Sequence, residues 1–200
     1  MPSLDAAFYF DLASPLAYLA SERVLQTLPL AAEWQPVLAR ELPGAESFDV
    51  YRCEQERLIF RSELERRATQ LALQPVRWPV EFPFDSELAM LAATYAKSIG
   101  RVVPFAQAAF RQAFAGGHSL SSLDIVLIAG AACEMHPRAL IQSTERDSVS
   151  KQLRQASAAA AELGVKDVPA VRIGDRVFEG EENIERARIY ADEIRHRESQ

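Results

Sequence analysis

Phe8-Tyr9-Phe10-Asp11-Leu12-Ala13-Ser14-Pro15-Leu16-Ala17-Tyr18-Leu19 changes character at Asp11. The residues before it are apolar and rich in aromatics, and Ala6 to Asp11 reads as a short buried strand. Ser14 and Pro15 then open a segment with helical spacing. Ser is a favoured N-cap, and Pro is favoured at the first helical position. Leu16, Leu19, Ala20, Val24, Leu25 and Leu28 fall near one face and Pro29 ends the pattern, which predicts a helix over 15–28. A strand feeding a helix N-terminus presents backbone N–H groups that have no partner inside the helix. It makes a small electropositive site suited to a thiolate, phosphate or carboxylate. Ser14 is therefore the first candidate functional residue, and a plain helix cap is the competing reading of it.

Downstream, Ala32 to Leu38 predicts a second strand, and its Pro36 suggests an edge or a strand end. Strand, helix and strand in this order place the two strands parallel. Leu42-Pro43-Gly44 is a break, and a helical pattern follows from about Ser47 to Leu73. The charges along it, from Arg52 to Arg67, read as a solvated face, with ligand contacts as the minority alternative. Pro75, Pro79 and Pro83 forbid a helix over Gln74 to Asp85. Trp78, Phe82 and Phe84 in this connector either cover a groove or pin the loop to the core.

Ser86 to Leu163 reads as nearly all helical. Breaks fall near Gly100 and at Gly116-Gly117, and new starts are expected at Pro104, Ser121 or Ser122, Pro137, and Asp147 or Ser148. Phe105, Phe110 and Phe114 read as packing rather than a cofactor cage. Val168 to Ile173 and Arg176 to Phe178 flank Gly174-Asp175 as a hairpin, and Glu181 to His196 reads as an amphipathic helix.

Two hundred residues with 48% hydrophobic content suit a single globular unit with a real core. No apolar run approaches the roughly 20 residues that span a membrane. Met1-Pro2-Ser3-Leu4-Asp5 lacks the basic start and apolar stretch of a signal peptide, so the expected location is cytoplasmic. A net charge of −6 argues against a general nucleic-acid binder. Cys53 and Cys133 form no Cys-x-x-Cys pair, lie at no expected helix start, and read as reduced structural thiols. The three histidines show no metal-ligand spacing, so no metal site is expected.

The order β-α-β, then helices, then β-β-α matches an α/β thioredoxin-like fold. Its four-stranded mixed sheet would be built from about 5–75 and 156–197, with a large helical insertion over about 85–155. Ligands are expected at the carboxyl ends of the parallel strands, where Ser14 lies. In a thioredoxin-like fold the proline at this point is cis, and a cis Val168-Pro169 bond would set it beside Ser14. The Val168 backbone would then be placed to bond an extended, peptide-like ligand.

The Phe8–Leu19 stretch resembles the opening of 2-hydroxychromene-2-carboxylate isomerases and kappa-class glutathione transferases, in the DsbA-like branch of the thioredoxin superfamily. Gly164-Val165-Lys166-Asp167-Val168-Pro169-Ala170, with Gly174-Asp175 and Phe178-Glu179-Gly180, is similar to that family's closing half. DsbA-type oxidoreductases open this helix with Cys-x-x-Cys. Here Ser14 and Ala17 stand at those positions, which leaves no thiol–disulfide exchange there.

The resemblance implies instead a glutathione-dependent isomerase or transferase, with glutathione as cofactor and Ser14 orienting its thiolate. The implied glutathione site comprises Ser14, Pro15, Leu16, Val168, Pro169, Glu181 and Glu182. Arg40, Arg77 and Trp78 are the expected contacts to a small aromatic or conjugated acid. The family's Asn-Pro-Pro after the second strand is replaced by Ala39-Arg40-Glu41-Leu42-Pro43-Gly44. Gly180-Glu181-Glu182-Asn183 stands where the family has Gly-Ser-Asp or Gly-x-Asp. A homodimer is a further expectation, with no nucleic-acid or membrane partner. The alternatives are a redox-inactive DsbA-like peptide- or ligand-binding module and, ranked last, an oxidoreductase using Cys53 or Cys133 with a thiol from another molecule.

Overall fold

Strand β1 (Ala6–Phe10) is buried at all five positions, because it is a central strand covered on both faces. The computed structural model describes residues 5–44 and 53–198, so the N-terminal residues 1–4 and the 47–52 start of the expected second helix lie outside the described residues. β1 pairs in parallel with β2 (Glu33–Pro36), Phe8 opposite Trp34, and antiparallel with β3 (Ala170–Ile173), Phe8 opposite Val171. β3 turns through Gly174-Asp175 into β4 (Arg176–Glu179), giving the sheet order β2-β1-β3-β4. Pro36 thus sits on an edge strand, where its missing N–H breaks no ladder.

The period-2 alternation of β1 divides the core. Phe8, Phe10, Trp34, Val171 and Ile173 join the large apolar cluster formed with the helices, whereas Ala7, Tyr9, Val37 and Ala170 join a smaller one. Phe8 and Phe10 meet Trp34 edge-on with ring centroids at 4.9 and 5.7 Å, and Phe10 reaches Phe110 at 5.9 Å.

The helix expected over 15–28 is two helices, α1 (Pro15–Ser21) and α2 (Val24–Thr27), parted at Glu22 and Arg23. Between β2 and β3 lie α3 (Glu54–Gln70), α4 (Glu87–Ser98), α5 (Val102–Phe114), α6 (Leu123–Ala131), α7 (Pro137–Thr144) and α8 (Asp147–Glu162). The chain ends its described part in α9 (Ile184–Glu198).

Several boundaries differ from expectation. α5 begins at Val102 rather than Pro104, since a proline within the first turn forfeits no helical hydrogen bond. Arg146, not Asp147 or Ser148, is the N-cap of α8. α8 runs through residue 155, and its Ala160 packs in the smaller cluster with Tyr9 and Ala170. α8 therefore serves the sheet as well as the insertion. Cys53 is the N-cap of α3 and is exposed, a correction to the expectation that neither cysteine begins a helix. Phe105, Phe110 and Phe114 are fully buried packing residues.

Candidate functional site

The site is built where β1 runs out. Asp11 ends the strand, its carbonyl accepts the Ser14 N–H at 3.0 Å, and the turn delivers Ser14 to the N-cap of α1. Ser14 has extended backbone (φ −86°, ψ 112°), and its Oγ accepts the Ala17 N–H at 3.1 Å. That cap uses an oxygen lone pair and leaves the hydroxyl hydrogen as a donor. Pro15 follows at the first helical position and is buried, while Leu16 is half-buried. Ser14 itself is only 1% exposed, so a ligand atom meets its hydroxyl only where neighbouring side chains part.

Asp11 was read from sequence merely as the strand's end, yet it organises the turn. It is 3% exposed; Oδ1 accepts the Ala13 N–H and Oδ2 the Ala39 N–H, both at 2.9 Å. Ser86, the N-cap of α4, acts on the same carboxylate and pulls its pKa down. Through Ala13 and Ala39, this one side chain ties the Ser14 turn to the segment after β2. Burial pushes the Asp11 carboxyl above the usual carboxylate range, against the opposing pull of Ala13, Ala39, Ser86 and Arg40. The only sequence signal for this role is a charged residue directly after a fully apolar strand.

The distant half of the site comes from β3. Tyr9 pairs with Ala170, so continuing that register sets Pro169 opposite Phe10, at the end of β1 from which the Ser14 turn leaves. The Val168-Pro169 peptide bond is cis. The Pro169 carbonyl accepts the Gly180 N–H at 2.8 Å, which docks the Gly180–Asn183 turn against the proline. The Val168 N–H donates to Asp167 Oδ1 at 2.7 Å. Gly180 has φ 88°, a left-handed conformation that L side chains rarely adopt, and a Cβ there would collide with the Glu182 carboxylate.

Glu181 and Glu182 part company. Glu182 is exposed and folds back over Gly180. Glu181 is 2% exposed and carries two arginines: Arg67 of α3 donates Nε to Oε2 at 2.8 Å and Nη2 to Oε1 at 3.1 Å, and Arg23 donates Nη1 to Oε1. Arg67 thereby departs from the solvated face expected for its helix.

The residues expected at a substrate are each engaged in contacts of their own. Arg40 pairs with Asp85 at 2.9 Å and with Glu87, in a network that Arg154 extends to Glu87 and Glu41. Arg77 is exposed, and its N–H donates to the Phe114 carbonyl at 2.7 Å. Trp78 donates Nε1–H to Glu65 at 2.8 Å and lies under the Arg61 guanidinium at 4.9 Å. It also meets Phe82 edge-on at 5.0 Å and Phe114 at 6.2 Å. Phe114 in turn stacks on Tyr18 of α1 at 5.7 Å. The proline-rich connector is thus pinned to the core by its aromatics, which reach α1 through Phe114 and Tyr18.

Among the described residues no group of three or more His, Cys, Asp or Glu is arranged to hold a metal ion, and no helix is long and apolar enough to cross a membrane.

A DSBA-like thioredoxin domain model matches residues 6–190. The chain belongs to the DsbA-like thioredoxin family. Solved structures agree on the fold. A 2-hydroxychromene-2-carboxylate isomerase superposes with a TM-score of 0.86 at 16% identity, covering 98% of each chain. A probable DsbA oxidoreductase from Streptomyces coelicolor gives 0.76 at 14% identity, covering 94% of this chain and 89% of that one. The cytosolic disulfide reductase DsbM from Pseudomonas aeruginosa, in a structure with glutathione, gives 0.66 at 10% identity, covering 98% of this chain and all of that one. At such identities the likeness concerns the fold. No curated protein sequence matches the chain. Within the DsbA-like fold, the first helix of this member opens Ser14-Pro15-Leu16-Ala17, with no sulfur at either end of the tetrad.

Proposed function

We propose that this DsbA-like protein binds glutathione at Ser14 and uses its thiolate to isomerise, or to be transferred to, a small conjugated or aromatic acid. The observation that carries the reading is the Ser14 cap. Its oxygen is held by the Ala17 N–H, its hydroxyl hydrogen is free to donate to sulfur, and the α1 N-terminus adds positive potential. Such donors stabilise a thiolate and lower its pKa. The glutathione in the DsbM structure and the fold shared with 2-hydroxychromene-2-carboxylate isomerase support it.

The chemistry balances without an external oxidant. The thiolate forms a C–S bond to the conjugated carbon, and the alkene electron pair moves onto the carbonyl as an enolate. The former double bond rotates, and the enolate re-forms the alkene and expels the thiolate unchanged. Pro15, Leu16, Val168, Pro169 and Glu182 would line the cofactor. Calorimetric titration with glutathione tests this. Saturable binding that weakens about tenfold in Ser14→Ala is expected, and no binding at millimolar glutathione refutes it. The burial of Ser14 favours a second reading, a redox-inactive ligand- or peptide-binding module. Binding of an extended peptide that tolerates Ser14→Ala but not substitutions at Val168 would select it.

A further inference from the structure

Two carboxylates are buried among the described residues, Asp11 and Glu181. Asp11 serves backbone N–H groups, whereas Glu181 serves arginines. Both Glu181 oxygens are occupied, Oε2 by Arg67 Nε at 2.8 Å and Oε1 by Arg67 Nη2 at 3.1 Å and by Arg23. The Arg67 fork and carboxylate match bidentately, the strongest geometry for such a pair. A carboxylate committed in this way has little capacity left for a ligand ammonium group.

The helix that Arg67 belongs to explains why the pair matters. α3 has 17 residues, yet only Leu64 and Ala68 are buried. Helices in proteins are held chiefly by tertiary packing of an apolar face, and that of α3 is a narrow stripe of Phe60, Leu64 and Ala68. Polar ties supplement it: the Arg67–Glu181 fork reaches the turn beside Pro169, and Glu65 accepts from Trp78 of the connector. Glu181 is a fixed reference point for that tie. It follows Gly180, which is bonded to the Pro169 carbonyl, and Arg23 links it to the residues just after α1.

We propose that Glu181 is a positioning residue: through Arg67 and Arg23 it clasps α3 to α1 and to the turn beside Pro169, and it does not touch the ligand. The ligand arm of the test rests on the glutathione reading above; the structural arm does not. Hydrogen exchange on the full chain compares wild type with Glu181→Gln, Arg67→Met and the double variant. Each single variant is expected to exchange the α3 amides at least tenfold faster while β1 and β3 keep their protection. The double variant should be no faster than either single, because both break one clasp. Glutathione affinity should fall about tenfold in Glu181→Gln and be largely retained in Arg67→Lys. Ser14→Ala should weaken binding without altering α3 exchange.

Unchanged α3 exchange in both single variants overturns the clasp. So does equal loosening of β1 and β3, and so does weakened glutathione binding with α3 exchange unmoved, which would make Glu181 a ligand contact. If wild type binds no glutathione, the functional reading falls and the exchange arm alone decides the clasp.

Discussion

Removing the Asp11 carboxylate should destabilise the fold and disorder the Ser14 turn. In Asp11→Ala the Ala13 and Ala39 N–H groups, now bonded at 2.9 Å, lose their acceptor in a buried setting. Each orphaned donor costs roughly 1–3 kcal/mol. The gain from no longer burying a charge offsets part of that, leaving about 2–3 kcal/mol of net destabilisation. For a chain of this length that lowers the melting temperature by roughly 5–10 °C. Asp11→Asn keeps one acceptor oxygen and should lose about half as much.

The pH dependence gives an independent check. Burial raises the Asp11 pKa, so the folded chain holds this proton more tightly than the unfolded chain. Stability from this group is complete below the ordinary aspartate pKa and is lost as the pH rises through the elevated folded value. Wild type should therefore lose stability relative to Asp11→Asn across that window, from about pH 4 upward. Urea unfolding at a series of pH values measures both effects. An alanine variant within about 0.5 kcal/mol of wild type, or a wild-type-minus-Asn difference that is flat with pH, refutes the reasoning.

Other outcomes follow from the same geometry. Gly180→Ala forces an L residue to φ 88° and should cost about 1–2 kcal/mol in urea unfolding, with the Pro169 turn loosened in hydrogen exchange. Thiol labelling of the native protein should modify exposed Cys53 promptly and buried Cys133 only on unfolding, since burial also pushes the Cys133 thiol pKa up; equal rates would contradict the fold. Arg40→Met should change stability by less than about 1 kcal/mol, because its pairs with Asp85 and Glu87 are partly exposed, and should leave glutathione binding unaltered. A rise in substrate KM in that variant would show that Arg40 leaves its ion pairs to meet substrate.

Local chemistry made much of the architecture legible. The apolar run before Asp11, the Ser14-Pro15 helix start, Pro36 on an edge and the Gly174-Asp175 turn each act within a few residues, and each gave the element the fold contains. What escaped sequence reading depends on tertiary partners. Glu22 and Arg23 carry no breaker, yet α1 ends there, where Glu22 pairs with Arg111 of α5 and Arg23 with Glu181. Asp11 shows its role only once Ala39 and Ser86 are brought to it. Glu181 enters the glutathione site that the resemblance implies, because nothing local reveals that Arg67 will meet it. The connector's own sequence is compatible with either covering a groove or pinning the loop, and contacts to Phe114 and Phe60 decide for pinning.

The sheet's connectivity also bears on how the chain comes together during synthesis. β1 is hydrogen-bonded to β3 along Ala6–Ile173 and Tyr9–Ala170, with the eight described α-helices α1–α8 between them in sequence. The β1–β2 pair can form early, but it presents an open strand edge until the hairpin emerges. Local helical contacts form quickly, whereas this closure spans nearly the whole described chain and must await its last strands. A nascent chain would therefore hold one edge of apolar β1 unpaired until β3 emerges. That interval is when a chaperone, or an unwanted neighbour, would find the same edge that later frames the Ser14 turn.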